Sequence, residues 1–171
     1  MGKLIGTALI LTGCMGFLVS WYDRHRRRQR TLEAFLRLLV SWESCLEREK
    51  MRLSDFLEHY VSHEPQMEEF LAQLGEAIAQ RRCPTGEELW REALLCRRRG
   101  LELDEELLEL LLPAGGAFFG RSRRESIQCA GAVRERIAAR LSQERAEFAK
   151  KQKVYVPVGM LGGVLLVILF L

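Results

Sequence analysis

The sequence predicts an all-α protein: a helical bundle of about six helices between two transmembrane helices. Three observations predict it. Both ends of the chain are long apolar runs without charge, apolar residues between them recur at intervals of three and four, and no stretch alternates β-branched with polar residues as a strand would. This divides the chain into an N-terminal membrane helix at 1–22, a cytoplasmic helical domain at 23–153 and a C-terminal membrane helix at 154–171.

From Leu4 to Tyr22 no side chain is charged. The run of about 19 residues matches what a helix rising ~1.5 Å per residue needs to cross ~30 Å of hydrocarbon. Trp21 and Tyr22 close it as an interfacial aromatic pair. A second run, Val154 to Leu171, is about 18 residues of mostly Leu, Val and Ile, enough to span with little tilt. Backbone in lipid must satisfy its own hydrogen bonds, so such segments are expected to be helical.

Flanking cations set the orientation. Arg24, Arg26, Arg27, Arg28 and Arg30 follow the first run and Lys150, Lys151 and Lys153 precede the second, against Lys3 alone outside. The middle domain is therefore expected in the cytoplasm, with both termini across the membrane. Leu11-Thr12-Gly13-Cys14 also has the form of a lipoprotein processing site, which would lipidate Cys14. Against that reading, apolar residues continue for two turns past Cys14, and a dense arginine cluster that resists export follows. Gly159 and Gly163, like Gly2, Gly6, Gly13, Gly16 and Ser20, offer close helix approach or are ordinary membrane-helix small residues.

In the middle domain, Leu32, Phe35, Leu36, Leu39, Trp42 and Leu46 form one apolar stripe, on a helix that is free to continue from the first membrane run. Ser54 is expected to cap a short helix with Phe56, Leu57, Tyr60 and Val61, and Pro65 to open another with Met67, Phe70, Leu71, Leu74 and Ile78. The turn between them is expected to hold His59 and His63. Thr85-Gly86-Glu87-Glu88 has the form of a capping box ahead of Leu89, Trp90, Ala93 and Leu94, and Gly100 is expected to stop that helix after Arg97 to Arg99. Asp104 opens a short helix with Leu107, Leu108 and Leu111, after which Pro113 and Gly115-Gly116 are expected to break or kink the chain. Ser122-Arg123-Arg124-Glu125 is a second capping box, starting a helix with a seam of Ile127, Ala130, Val133, Ile137, Leu141 and Phe148 that leads into the second apolar run.

The formal net charge of +3 is the remainder of 26 basic and 23 acidic side chains, too small to recruit a polyanion by mass electrostatics. The five cysteines, Cys14, Cys45, Cys83, Cys96 and Cys129, are odd in number and contain no C-x-x-C pair, which points to free thiols in a reducing compartment. His59 and His63 lack the glutamate of a zinc-binding H-E-x-x-H, and the Gly115 to Ser122 stretch lacks the lysine pattern of a phosphate-binding loop. The acidic residues Glu102, Asp104, Glu105, Glu106 and Glu109 read as a solvated helix face or, second, a partner surface. The basic clusters at Arg26–Arg28 and Lys150–Lys153 adjoin the apolar runs, so membrane lipids account for them more directly than nucleic acid does. No catalytic residue, metal site or cofactor is expected.

Leu89-Trp90-Arg91-Glu92-Ala93-Leu94 and Phe119-Gly120-Arg121-Ser122-Arg123-Arg124-Glu125-Ser126, in this order of elements, resemble the stage III sporulation protein AB family of endospore-forming bacteria. The resemblance covers essentially the whole chain. Gly120, Arg124 and Glu125 match the family pattern, while Leu89, Phe119, Arg123 and Ile127 depart from it. The family resemblance implies a non-enzymatic membrane component of the secretion-like channel between mother cell and forespore. It implies a domain similar to the cytoplasmic domain of type II secretion and type IV pilus platform proteins. The implied partners are the assembly's cytoplasmic ATPase and its other membrane components, with Gly120, Arg121, Arg124 and Glu125 as the candidate contact. A membrane-tethered adaptor or signalling protein outside any such assembly is the competing reading.

Overall fold

The computed structural model describes the backbone of residues 2–48 and 51–170, and side chains for 26–48, 51–150 and a few earlier positions. Among these residues there are seven helices and no strand: α1 (Gly2–Arg48), α2 (Leu53–His59), α3 (Pro65–Ala79), α4 (Gly86–Cys96), α5 (Glu105–Leu111), α6 (Ala114–Phe119) and α7 (Arg123–Phe170). One compact unit is Arg28–Leu141; the residues before and after it form a second. The first and last helices are 47 and 48 residues long, so each apolar run belongs to a helix that extends into the middle of the chain. Among the described residues no helix is long and apolar enough to cross a membrane. Most side chains of the two runs expected to do so, 4–22 and 154–171, lie outside the described residues.

Within the Arg28–Leu141 unit, α1 and α7 run antiparallel. Arg134 Nη1 lies 2.9 Å from Glu43 Oε2, and one helix end further on the Arg123 guanidinium donates to the Glu47 carbonyl. The buried stripe of α1 is wider than the periodicity indicated: Ala34 and Leu38 are buried with Leu32, Phe35, Leu39 and Trp42, while Leu36 is half-buried. Phe35, Phe70 and Trp90 meet edge to face at centroid distances of 5.4 to 6.3 Å, locking α1, α3 and α4 around one aromatic cluster. In the second unit, Tyr22 and Phe148 rings lie 5.5 Å apart, and the Arg26 guanidinium sits 5.6 Å from the Tyr22 ring centre.

Several local expectations are corrected. Arg52, not Ser54, is the residue before α2; Ser54 lies inside the first turn, where its hydroxyl donates to Asp55. His59 ends α2 itself, its Nδ1 2.7 Å from the Asp55 carbonyl, and Val61 is 72% exposed beyond the helix rather than on its apolar face. Pro113 does interrupt the chain after α5, but Gly115 and Gly116 lie inside α6 rather than breaking the helix there.

Gly100 does not stop α4, which ends four residues earlier at Cys96. The turn that follows closes at Glu102, which takes the left-handed conformation at φ 52°, with Glu102 N–H donating to Arg99 O and Leu103 N–H to Arg98 O. The same paired bonds end α3, where Arg81 at φ 48° precedes Arg82 N–H on Ala77 O. These are Schellman closures built on residues with a Cβ, a conformation that costs about 1–2 kcal/mol outside glycine.

The acidic stretch is also not simply a solvated face. Asp104 accepts from Leu107 N–H at 2.8 Å as the cap of α5 and pairs with Arg28, while Glu106 pairs with Arg140 and lies 3.9 Å from Arg28. Arg28 is thereby drawn into the bundle instead of serving only the membrane-flanking cluster, and α1, α5 and α7 are tied together.

Glu102→Gly is expected to stabilise the full chain. It removes the left-handed strain at that turn and a buried carboxylate oxygen, Oε2, that has no hydrogen-bond partner. Thermal unfolding in detergent should show a gain of about 1 kcal/mol; a loss of stability would contradict this account of the turn.

Candidate functional site

The two segments that carried the family resemblance are far apart in sequence but pack into one structure. Thr85 caps α4, its Oγ1 accepting from Glu88 N–H at 3.3 Å, and the helix presents Leu89, Trp90 and Leu94 inward. The Trp90 indole N–H donates to Leu111 O at 3.0 Å, and the ring stacks on Phe118 at 4.9 Å. From the other side, Trp42 of α1 donates to Ala117 O at 2.7 Å and stacks on Phe118 at 5.9 Å. α6 is thus held between two indoles.

That placement explains the glycines. A Cβ on Gly115 would sit 3.2 Å from Trp90 Cδ1, one on Gly116 3.1 Å from Cys129 Sγ, and one on Gly86 inside the Phe119 ring. Gly120 has an ordinary φ of −57°, yet a Cβ there would meet Ser126 Oγ at 2.5 Å and the Gly116 carbonyl oxygen at 2.7 Å. At Gly86 and Gly120 space, not backbone freedom, requires glycine, and at Gly115 and Gly116 a side chain would be crowded.

The next residues divide by role. Ser122 Oγ accepts from Glu125 N–H at 3.2 Å and Ser122 O from Ser126 N–H at 3.0 Å, which starts α7. Arg123 is occupied by the Glu47 carbonyl. Of the candidate contact residues, Gly120 is a packing position, whereas Arg121, Arg124 and Glu125 are exposed around it. The two arginines make no ion pair among the described residues.

Among the described residues no group of His, Cys, Asp and Glu could hold a metal ion. A groove of about 330 Å³ between α2 and α3 is lined by residues including Ser54, Leu57, Glu58, Leu71, Glu76 and Ile78, and the Ser54 hydroxyl is hydrogen-bonded to Asp55 at 3.2 Å. Cys45, Cys83, Cys96 and Cys129 are in no disulfide among the described residues; Cys14 lies outside the described side chains. The Cys83 thiol donates to Glu92 at 2.8 Å, and that bond chiefly raises its pKa. Burial, reinforced by Glu87 and Glu125, raises that of Cys129, which donates to Pro113 O at 3.2 Å.

The chain matches stage III sporulation protein AB over residues 3–171. It belongs to that family. The match runs from the first apolar segment through the middle domain to the last residue, so the packing of α4 against α6 and the start of α7 is the fold of a sporulation protein. No curated protein and no solved structure matches the chain. Within this family member, Trp90 and Gly115 form the joint between the two recognisable segments, and Arg121, Arg124 and Glu125 are what that joint leaves facing outward.

Sequence reasoning placed Trp42 and Trp90 in the core, where they are, but missed α6 as their common partner. A run of small residues, Ala114-Gly115-Gly116-Ala117, bracketed by proline and two phenylalanines was the available signal.

Trp90→Phe should destabilise the full chain by about 2–4 kcal/mol, because it leaves the Leu111 carbonyl unpaired and a gap beside Gly115; thermal unfolding in detergent measures it, and a change below about 0.5 kcal/mol would refute the joint. The thiols give a pH prediction. A raised folded pKa favours the protonated folded form, so this contribution to stability is fully present below the ordinary thiol pKa of about 8.5 and is lost as pH rises through the folded value. Iodoacetamide should therefore label Cys83 and Cys129 more slowly at pH 8.5 in the folded chain than in urea, with mass spectrometry resolving each site.

Proposed function

We propose that this protein is a non-enzymatic membrane platform of the secretion-like channel joining mother cell and forespore. Its helical domain lies in the mother-cell cytoplasm and anchors, or transmits the action of, the assembly's cytoplasmic ATPase. Membership of the sporulation family over residues 3–171 carries the reading. Two features of the sequence support the topology: the charge-free runs Leu4–Tyr22 and Val154–Leu171, and the arginines and lysines that border each on its inner side. In this reading both runs span the bilayer, and Lys150, Lys151 and Lys153 meet lipid headgroups.

The domain's construction suits a mechanical role. Its aromatic core and inter-helix ion pairs hold the helices together, and several charged side chains are paired within it: Glu92 with Cys83, Glu43 with Arg134, Asp104 with Arg28. A scaffold works by holding a partner in place, and for that a stable surface suffices. The other membrane components of the channel are the natural neighbours of the apolar helices.

Full-length protein in detergent is expected to co-purify with the cytoplasmic ATPase of the sporulation channel, and deletion of its gene to block spore formation. Both proteins folded and mixed at micromolar concentration with no complex formed would overturn the anchoring role. Digestion of the middle domain by protease added to intact cells would overturn the topology.

A further inference from the structure

We propose that one end of the Arg28–Leu141 unit is a docking surface for an acidic protein face, with Arg121 and Arg124 as the contacting cations and Arg48 and Arg52 beside them. The inference rests on the platform reading above and adds the chemistry of the partner's surface.

Packing gathers these residues. The Trp42 ring lies 5.0 Å from Phe56 and 5.9 Å from Phe118, which brings the start of α2 and the end of α6 to the last turns of α1. Arg52, whose carbonyl accepts from Phe56 N–H at 3.0 Å, leads into α2. Arg123 reaches the Glu47 carbonyl, next to Arg48, and so joins the start of α7 to the same end. All five arginines are exposed.

Other exposed arginines, such as Arg81, Arg91, Arg99 and Arg136, also make no ion pair among the described residues, and what sets four of the five apart is that packing gathers them at one end of the unit while they stay unpaired. Arg28, Arg97, Arg134 and Arg140 are all paired with carboxylates across the unit, whereas Arg48, Arg52, Arg121 and Arg124 make no ion pair among the described residues. Arg124 also opposes its own helix. It stands in the first turn of α7, at the positive end of the dipole, where an acidic residue is favoured and a cation costs a few tenths of a kcal/mol or more. No ion pair among the described residues offsets that cost, so the position reads as one where local stability yields to recognition.

The guanidinium fork matches carboxylates. Exposed Glu47 and Glu125 lie among the arginines, and Glu87 follows Gly86 against the Phe119 ring. A uniformly anionic surface, such as lipid or nucleic acid, would be repelled by these acids. A folded acidic face can set its carboxylates against the arginines alone.

The test compares full-length wild type with R121E/R124E in detergent, titrated with the channel's cytoplasmic ATPase at several salt concentrations. The double variant should melt at or slightly above the wild-type temperature, because glutamate suits the first turn of α7, while its affinity falls about tenfold or more and its salt dependence flattens. R121K/R124K should retain most binding. Equal affinity and salt dependence in wild type and R121E/R124E would overturn the inference and leave the platform reading standing. No binding by wild type would remove both. Arginine-dependent binding to phosphatidylglycerol vesicles, with ATPase binding unchanged in the variant, would reassign this end to lipid and also overturn it.

Discussion

The fold depends on the clamping of α6 between two indoles. Trp42 and Trp90 each bury a large ring and each have one N–H to satisfy, and both find a backbone carbonyl, on Ala117 and Leu111, at either end of the same short stretch. A buried indole N–H without a partner would cost about 1–3 kcal/mol, so these two bonds fix the register of α5 and α6 against α1 and α4. Phe118, stacked between both rings, transmits that register to Gly120 and the cap of α7. The glycines of α6 suit the clamp, since a Cβ at Gly115 or Gly116 would crowd Trp90 at 3.2 Å or Cys129 at 3.1 Å.

Charge has two uses in this molecule. Inside the bundle, arginines are spent on carboxylates that join distant helices, as Arg28 does with Asp104 and Arg134 with Glu43. These pairs are part-exposed and each contributes little on its own, but they orient α1, α5 and α7 where apolar packing alone would allow sliding. At the end where α1 finishes and α7 begins, Arg48, Arg52, Arg121 and Arg124 instead face solvent and make no ion pair among the described residues.

The long helices were legible because period and length are local properties. Thr85, Asp104 and Ser122 were readable as caps because each bond closes within three residues. Ser54 misled because a serine near a helix start has several local bonds open to it, and here Asp55 was chosen. The ends of α3 and of the turn after α4 were illegible for a different reason. Glycine marks such ends when the left-handed residue is free to be glycine, but here Arg81 and Glu102 take that conformation, and the paired backbone bonds hold them in it. Glu105, Glu106 and Glu109 are exposed as a solvated face would be, but the ion pairs of Asp104 and Glu106 were illegible because nothing near them in the sequence reveals that Arg28 and Arg140 lie opposite.

By itself the sequence determined the helical class, the two apolar ends with their cationic borders, most of the inward stripes and the family, because each of these is a pattern of neighbours along the chain. Only the tertiary structure decided that Gly115 and Gly116 continue a helix, that the two recognisable segments are halves of one joint, and which arginines are already matched. Those outcomes depend on groups 21 to 76 positions apart meeting in space, Trp90 with Leu111, Arg140 with Glu106, Trp42 with Ala117 and Arg28 with Asp104. Steric room and hydrogen-bond pairing at such contacts leave no periodic trace in the sequence.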